Sequence, residues 1–225
     1  MIAAALHCEW RLKALMTAGL SLFFCVPYFT LQRVRFFEAR ELELTWVDRA
    51  IAFDPDWIWA YQSAYLLMPV GPWLATSRRD LGRYTTGFLL LSLAGFLSFA
   101  LLPVVCPRPG GSPENWMYRL VTSYDGTGNA FPSLHCALAV YSALAWDLAA
   151  RGSLARASRW GLRVFLASWT VVICWSTLAT KQHYLVDVPS GAALGWLCHW
   201  AARRAVRVEA TFTDWQLVDH ERKWP

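Results

Sequence analysis

The feature that most constrains the fold of this chain is a series of uncharged apolar runs long enough to cross a lipid bilayer. Three runs contain no charged residue at all: 14–32 has 19 residues, 57–77 has 21 and 84–105 has 22. A helix needs about 20 mostly apolar residues to span the hydrocarbon core. Only 16% of the residues are charged, against about a quarter in a typical soluble domain. The sequence therefore predicts an integral membrane protein of the all-α class.

Three further apolar segments complete the predicted layout, which is a polytopic membrane protein with six transmembrane helices. We predict a single membrane domain over 1–225 that ends in a polar cytoplasmic tail, 203–225. Gly191 and Gly195 have the small-xxx-small spacing that allows close packing of membrane helices. Pro69 and Pro72 predict a kink or an early end in the second span. The predicted spans are about 14–32, 57–76, 84–105, 132–150, 164–180 and 188–202.

The distribution of charge predicts which side of the membrane each loop occupies. Six spans place both termini on one side, together with the loops at 78–83 and 151–163, which are basic. Basic loops favour the cytoplasmic side. We therefore expect cytoplasmic termini and an extracytoplasmic active site. The expected location is a bacterial inner (plasma) membrane. The same bias explains the net charge of +5. Nucleic-acid binding is not needed to explain it, and the sequence has no pattern of basic and aromatic residues typical of a nucleic-acid groove.

Two other features of composition narrow the possibilities. The six cysteines form no CxxC pair and most lie in apolar runs, so neither a metal site nor a disulfide framework is expected. Segment 33–57 differs from the spans, because charged residues alternate there with large apolar ones. It is either an amphipathic segment lying in the membrane interface or an ordinary solvated loop.

Two polar stretches, 129–135 and 181–187, place His135 and His183 at the edges of apolar runs. The span count puts both histidines at one face. Pro132 is a good first residue for the fourth helix, which would set Ser133 in its first turn. Helices that begin at this face present free N–H groups and a positive dipole end, and both attract phosphate. The sequence therefore predicts an anion site between the two histidines.

The spacing of the polar residues suggests distinct chemical roles. His183 and Asp187 are four residues apart, so on a helix they share a face and the carboxylate can hold one imidazole nitrogen protonated. The other nitrogen is then free to attack, as in nucleophile-and-orienter pairs. His135 can protonate the leaving oxygen as general acid. Arg108 and Lys181 supply the positive charge that phosphoryl transfer requires.

These stretches resemble the signature motifs of a known enzyme family. Residues 131–135, FPSLH, and 176–187, STLATKQHYLVD, are similar to the second and third motifs of the type-2 phosphatidic acid phosphatase superfamily. The resemblance implies that His183 forms a phosphohistidine, that Asp187 orients it and that His135 serves the leaving group. It also implies that no metal or other cofactor is required.

The sequence departs from the common pattern of that family at three positions. Arg108-Pro109 matches the end of the first motif, but Leu101 stands at its lysine position. Thr177 replaces the usual arginine of the third motif, and Leu134 replaces the glycine of the second. These departures are similar to the inositol-phosphorylceramide-synthase-like branch.

Three functional readings follow. The first is a lipid phosphatase or phosphotransferase that acts on a phospholipid or a polyprenyl (pyro)phosphate, with lipid phosphate and membrane lipids as its partners. The second is a synthase that transfers a phospho-head-group to a lipid alcohol. The third, more remote, is a non-enzymatic haem-binding or transport protein. Catalytic roles are assigned to His183, His135 and Asp187. Phosphate contacts are assigned to Arg108, to Ser133, which is also a helix-cap candidate, and to Lys181, which is also an interfacial-anchor candidate.

Overall fold

The computed structural model describes residues 10–109, 113–151 and 154–221, with side chains as far as residue 205. These residues are mostly helical, and the only sheet among them pairs β1 (Arg40–Glu41) in parallel with β2 (Val104–Val105). A 3-10 turn covers Pro55–Trp57. The helices are α1 (Trp10–Leu31), α2 (Trp46–Ala50), α3 (Ile58–Leu74), α4 (Arg78–Leu101), α5 (Trp116–Tyr124), α6 (Leu134–Ala149), α7 (Arg156–Ala179) and α8 (Asp187–Glu221).

Three of the described helices, α1, α4 and α7, are long and apolar enough to cross a membrane. Helix α6 is also apolar but has only 16 residues. The structure thus agrees with an all-α membrane protein. The count of six spans and the side on which the site lies stay predictions. The predicted tail continues α8 to Glu221, and its side chains beyond residue 205 lie outside the described part.

Two predicted loops turn out to be the first turns of helices. Helix α4 begins at Arg78 because the Ser77 side chain caps it, accepting from Asp80 N at 3.1 Å. Helix α7 begins at Arg156, and its early arginines Arg159 and Arg163 both pair with Asp147 near the end of α6. The charged residues of these two segments, which the sequence assigns to loops, are therefore helical, because helix caps and ion pairs stabilise them there.

Helix α3 continues through both prolines rather than ending early. Pro72 has no N–H for the carbonyl of Met68 one turn earlier, which would leave that oxygen without its helical donor. The Tyr84 hydroxyl of α4 donates to Met68 O instead, at 3.0 Å. At the end of α3, the Lys13 ammonium of α1 donates to Ala75 O at 2.7 Å. Side chains of neighbouring helices thus replace the missing backbone hydrogen bonds.

The buried core lies where α1, α3, α4, α6 and α8 meet. It is made mainly of aromatic and leucine side chains, several of them in ring-to-ring contact, such as Phe24 with Phe88 at 6.0 Å between centroids. Its buried members are Leu20, Phe24, Tyr28, Met68, Tyr84, Phe88, Leu91, Phe96, Phe99, Leu134, Ala137, Leu138, Tyr141 and Cys198.

Gly191 and Gly195 let α8 pack directly against the backbone of α6. A Cβ atom at Gly191 would lie 2.2 Å from Ser133 O, and one at Gly195 would lie 2.3 Å from Ala137 O. Such distances are far inside van der Waals contact, so only glycine fits at either position. This close approach brings the starts of α6 and α8 together, and the candidate site lies there.

Segment 33–57 is a folded cover over the loop that precedes α8. It contains β1, α2 and the 3-10 turn, and Thr45 and Asp48 form a reciprocal capping box at the start of α2. The buried Asp48 also accepts from Leu185 N at 2.7 Å, and Asp54 N donates to Ala179 O at 2.9 Å. These contacts hold part of the segment against α7 and the loop before α8, whereas several of its large apolar side chains, such as Phe36, Phe37 and Trp46, are exposed.

We expect Gly195→Ala to destabilise the fold, because the added methyl meets the carbonyl of Ala137, which cannot move alone. Overpacking of this kind typically costs about 1–3 kcal/mol. The matched control is Gly161→Ala in α7, where a Cβ meets nothing within 4 Å. Both substitutions raise helix propensity by the same amount, so the difference between their stabilities reports the steric clash at position 195. Thermal unfolding in detergent should show a lower Tm for Gly195→Ala, and equal values for the two variants would contradict this packing.

Candidate active site

His183 lies in the loop between α7 and α8 rather than on a helix. The carbonyl of Thr177 accepts from both Gln182 N, at 3.0 Å, and His183 N, at 3.2 Å, which closes the chain tightly at the end of α7. Lys181 adopts a left-handed conformation with φ of 54°, uncommon for a residue other than glycine. The sequence predicted a shared helical face for His183 and Asp187. Their proximity comes instead from the turn that leads into α8, where Asp187 N donates to Tyr184 O at 3.0 Å.

The hydrogen bonds of His183 determine which ring nitrogen is free. Nδ1 lies 2.8 Å from Ala130 O and 3.3 Å from the Asp187 carboxylate. A carbonyl oxygen can only accept, so Nδ1 carries the proton. In the neutral ring the lone pair is therefore on Nε2. This is the arrangement that a histidine nucleophile needs.

Asp187, the first residue of α8, connects the two helices and the histidine. Its Oδ2 atom accepts from Tyr184 N at 2.8 Å, and its main-chain oxygen accepts from Ser133 N, at the start of α6, at 3.1 Å. Burial of His183 opposes its protonation, but the adjacent Asp187 carboxylate outweighs this effect and raises the pKa of His183 above its ordinary value. The carboxylate thus both orients the ring and increases its basicity.

His135 is the second residue of α6 and lies beside His183, with 5.8 Å between the ring centroids. Helix α6 begins at Leu134 with Ser133 as its N-cap, accepting from Cys136 N at 3.4 Å. The prediction that Pro132 opens the helix is therefore wrong by two residues: Pro132 follows a cis peptide bond and stands before the cap. The buried Nε2 of His135 has no hydrogen-bond partner among the described residues. Buried polar atoms are usually paired, so the unpaired Nε2 marks His135 as a candidate for a functional role.

Arg108 is held by neutral oxygens at the edge of the site. Its guanidinium donates to the carbonyls of Asp125, at 2.7 Å, and Gly126, at 2.9 Å, and to the Gln182 side chain. Carbonyl and amide oxygens orient the guanidinium without neutralising it, so its full positive charge stays in place. The loop 125–129 thus fixes this arginine through the carbonyls of Asp125 and Gly126.

Lys181 is anchored to the cover segment. Its ammonium group donates to Asp48 O at 2.7 Å and to Ile51 O at 2.6 Å, at the end of α2. Asp48 stays ionised, because hydrogen bonds from Thr45 and Leu185 N outweigh the effect of burial and lower its pKa. Two of the three N–H groups of the ammonium thus bind the cover segment.

A cavity of about 260 Å³ lies in front of His183. Arg108 and Lys181 also line it, and most of the remaining wall is apolar. His135, Ser133 and Asp187 are outside this lining. The cavity therefore brings together the predicted nucleophile and the two predicted cations beside a surface suited to lipid. The other lining residues are Leu44, Asp48, Ile51, Cys106, Pro107, Pro109 and Leu178.

Cys106, in the same cavity wall, does not compete with His183 as a nucleophile. Burial, reinforced by the nearby Asp187 carboxylate, raises the pKa of the Cys106 thiol to about 12. The thiol is therefore protonated at neutral pH, and the thiolate is the nucleophilic form of cysteine.

The three departures from the family motifs have visible structural counterparts. Leu101 is 52% exposed at the end of α4, and Thr177 is fully buried with its hydroxyl donating to Cys174 O at 2.8 Å. Neither position offers a cation to the cavity. Leu134 is buried in the core against Gly95, where a Cβ would meet its side chain at 2.6 Å.

Sequence reasoning missed several residues that shape the site. Asp48, Gln182 and Tyr184 were not selected, although Gln182 and Tyr184 flank His183 within the third motif. The Tyr184 hydroxyl donates to Val105 O at 3.0 Å and accepts from Leu42 N at 3.1 Å, which joins the loop to both strands. The position of Gln182 beside His183 was an available signal. The contacts of Asp48 with the site had none, because Lys181 and Leu185 are more than 130 positions away.

His183 lines the cavity together with Arg108 and Lys181, and His135 lies beside His183. Comparison with known proteins gives the family. The model of the PAP2 superfamily matches residues 80–210, which is more than half of the chain and includes all six predicted site residues. The chain therefore belongs to the PAP2 superfamily, whose members are phosphatases and phosphotransferases. No curated protein and no solved structure matches the chain.

We expect Lys181→Met to loosen the cover segment. Each hydrogen bond from a charged donor contributes about 1.5–3 kcal/mol, so backbone amides of 45–51 should exchange at least about tenfold faster. Hydrogen exchange followed by mass spectrometry measures this directly. Arg49→Met, which removes an exposed charge from α2, is the control. Unchanged exchange in Lys181→Met would show that its carbonyl contacts do not hold the segment.

Proposed function

We propose that this protein is a membrane lipid phosphatase or phosphotransferase that acts on a phospholipid or a polyprenyl (pyro)phosphate through a phosphohistidine on His183. The observation that carries the proposal is the state of His183. Its Nδ1 proton is committed to Ala130 O and Asp187, and the ring lines the same cavity as Arg108. Membership of the PAP2 superfamily supports the same reaction class.

In the first step, Nε2 of His183 attacks phosphorus and the bond from phosphorus to the leaving lipid oxygen breaks. His135 gives its proton to that oxygen, so a neutral alcohol leaves. In the second step, neutral His135 takes a proton from water or an alcohol, whose oxygen attacks the phosphohistidine. The P–N bond breaks and His183 is regenerated. Asp187 keeps the proton on Nδ1 throughout and stabilises the charged ring.

Positive charge balances the phosphoryl oxygens during both steps. We assign this role first to the Arg108 guanidinium, because it is pre-oriented by neutral oxygens and keeps its full charge. The dipoles at the starts of α6 and α8 add to it. Ser133 and Lys181 are proposed as further phosphate contacts: Ser133 through its hydroxyl, and Lys181 through its charge and its third N–H group.

A second candidate, a synthase that transfers a phospho-head-group to a lipid alcohol, is favoured by the small number of cations. Leu101 and Thr177 bring no charge, and the charge of Lys181 is partly offset by Asp48. A phosphate monoester carries close to two negative charges at neutral pH, since its second pKa is about 6, whereas a diester carries one. A single guanidinium matches the one charge of a diester more closely, so a phospholipid is the better donor.

For orientation, we propose an extracytoplasmic site with cytoplasmic termini, in a bacterial inner membrane. His135 stands at the start of α6 and Asp147 near its end, about 18 Å away at 1.5 Å per residue. The arginines that pair with Asp147 mark the opposite end of the bundle from the histidines. The positive-inside bias assigns that end to the cytoplasm.

We expect His183→Ala to abolish both phosphate release and formation of an acid-labile phosphoenzyme. The assay uses radiolabelled lipid monoester and diester substrates, each with water alone and with added diacylglycerol or ceramide, so that the acceptor is read out as well. His199→Ala is the matched control, because His199 contacts Tyr141 away from the site. A labelled phosphoenzyme in His183→Ala would refute the proposed intermediate.

We expect Asp187→Asn to lower the rate and to shift its pH dependence. Asp187 raises the pKa of His183, and only the neutral ring attacks. Removing the carboxylate lowers that pKa, so the acidic limb of the kcat/KM profile should move to lower pH. The plateau should fall by about 10²–10⁴-fold, because the ring loses its orientation. An acidic limb that stays in place would contradict the assigned coupling.

A further inference from the structure

Asp125 is a buried carboxylate that the proposed reaction does not use. It is 2% exposed and follows α5 at the start of the loop 125–129. Its Oδ1 atom accepts from the Tyr28 hydroxyl at 3.2 Å and from the Gln32 amide, and its Oδ2 atom accepts from the Tyr61 hydroxyl at 3.1 Å. Three uncharged donors from α1, its C-terminal turn and α3 thus converge on one carboxylate. A buried polar group with this many partners fixes the positions of all of them.

Tyr61 connects this carboxylate to His135. The Tyr61 ring stacks on the His135 ring with 3.8 Å between centroids and 27° between planes. Tyr65, one helical turn further along α3, contacts the other part of the same imidazole edge-on at 4.9 Å. Aromatic contacts of this kind contribute about 0.5–1.5 kcal/mol beyond the area they bury. His135 is therefore oriented by ring packing, whereas His183 is oriented by hydrogen bonds.

Asp125 also fixes the phosphate-binding guanidinium. Arg108 donates to the main-chain oxygen of Asp125 at 2.7 Å, so the residue whose carboxylate anchors Tyr61 also anchors Arg108 through its backbone. The two groups must act on opposite sides of the same P–O bond. Asp125 thus contacts both Tyr61, which stacks on His135, and Arg108, which we assign to the phosphoryl oxygens.

We propose that Asp125 and Tyr61 are positioning residues that hold His135 in line for proton transfer to the leaving oxygen. This inference rests on the proposed function, because it requires His135 to be the general acid. Asp125 anchors the Tyr61 hydroxyl, the Tyr61 ring sets the plane of the imidazole, and His135 Nε2 stays open for the substrate. Neither residue touches the reacting atoms.

The test compares two leaving groups on the same phosphate head group, a lipid alcohol and nitrophenol. Lipid alkoxide is a poor leaving group that needs a proton, whereas nitrophenolate leaves without one. The variants are Asp125→Asn, which places an amide among hydrogen-bond donors, and Tyr61→Leu, which removes the stacked ring. Tyr84→Phe is the control, because it also deletes a buried tyrosine hydroxyl but lies away from both histidines. The Tm of each variant in detergent reports its folding.

We expect Asp125→Asn and Tyr61→Leu to lose about 10²-fold on the alkyl ester and less than about threefold on the nitrophenyl ester, since misplacement of an acid costs only the protonation-dependent step. Tyr61→Phe, which keeps the ring, should lose less than Tyr61→Leu. A merely structural defect would lower both substrates equally, and that result would overturn the proposal.

His135→Ala separates failure of this inference from failure of the proposed function. Selective loss on the alkyl ester in His135→Ala, without it in Asp125→Asn and Tyr61→Leu, would leave the general acid intact and refute only the positioning role. Equal loss on both esters in His135→Ala would refute the general acid itself and, with it, this inference.

Discussion

The site depends first on the contacts of Asp187, which connect α8, α6 and the loop between them. Its carbonyl accepts from Ser133 N, so the starts of the two helices are joined by a direct hydrogen bond. Its carboxylate accepts from Tyr184 N and faces Nδ1 of His183. The close approach that Gly195 allows makes these short contacts possible. An added methyl group that displaces α8 would therefore disturb the position of His183 as well as the helix packing.

The two histidines are oriented by different forces, and the difference suits their roles. As the proposed nucleophile, His183 needs a lone pair on Nε2, and the carbonyl acceptor at Nδ1 gives the neutral ring that tautomer. In the proposed reaction His135 loses and regains a proton, so a permanent partner at Nε2 would compete with the leaving group. Stacking on Tyr61 fixes the ring without occupying that nitrogen. Ring packing thus orients His135 without a hydrogen bond to Nε2.

The cations of the site are held by neutral oxygens. Arg108 is bound by carbonyl groups and an amide, and Lys181 by two carbonyls of the cover segment. A carboxylate partner in the same place would orient each cation equally well but cancel its charge. Arg108 therefore keeps positive charge beside the cavity although Leu101 and Thr177 replace two family cations, whereas Asp48 partly offsets the charge of Lys181.

The apolar runs, the pairing of His183 with Asp187 and the small-residue spacing at Gly191 and Gly195 were readable from the sequence. Each depends on residues close together in the chain or on a long local pattern. Helix ends were harder to predict: α3 passes through Pro72 because a tyrosine from another helix supplies the missing donor.

What only the tertiary structure decided is how distant segments support this local pattern. Lys181 binds oxygens about 130 positions away, and Asp125 meets a hydroxyl 64 positions away. No periodicity or spacing records such pairs, because they form only when the helices pack. The sequence alone determined the membrane class and the family motifs, and it predicted the role of His183. The tertiary structure decided the orientation of His135 and the anchoring of both cations, since these depend on contacts between helices.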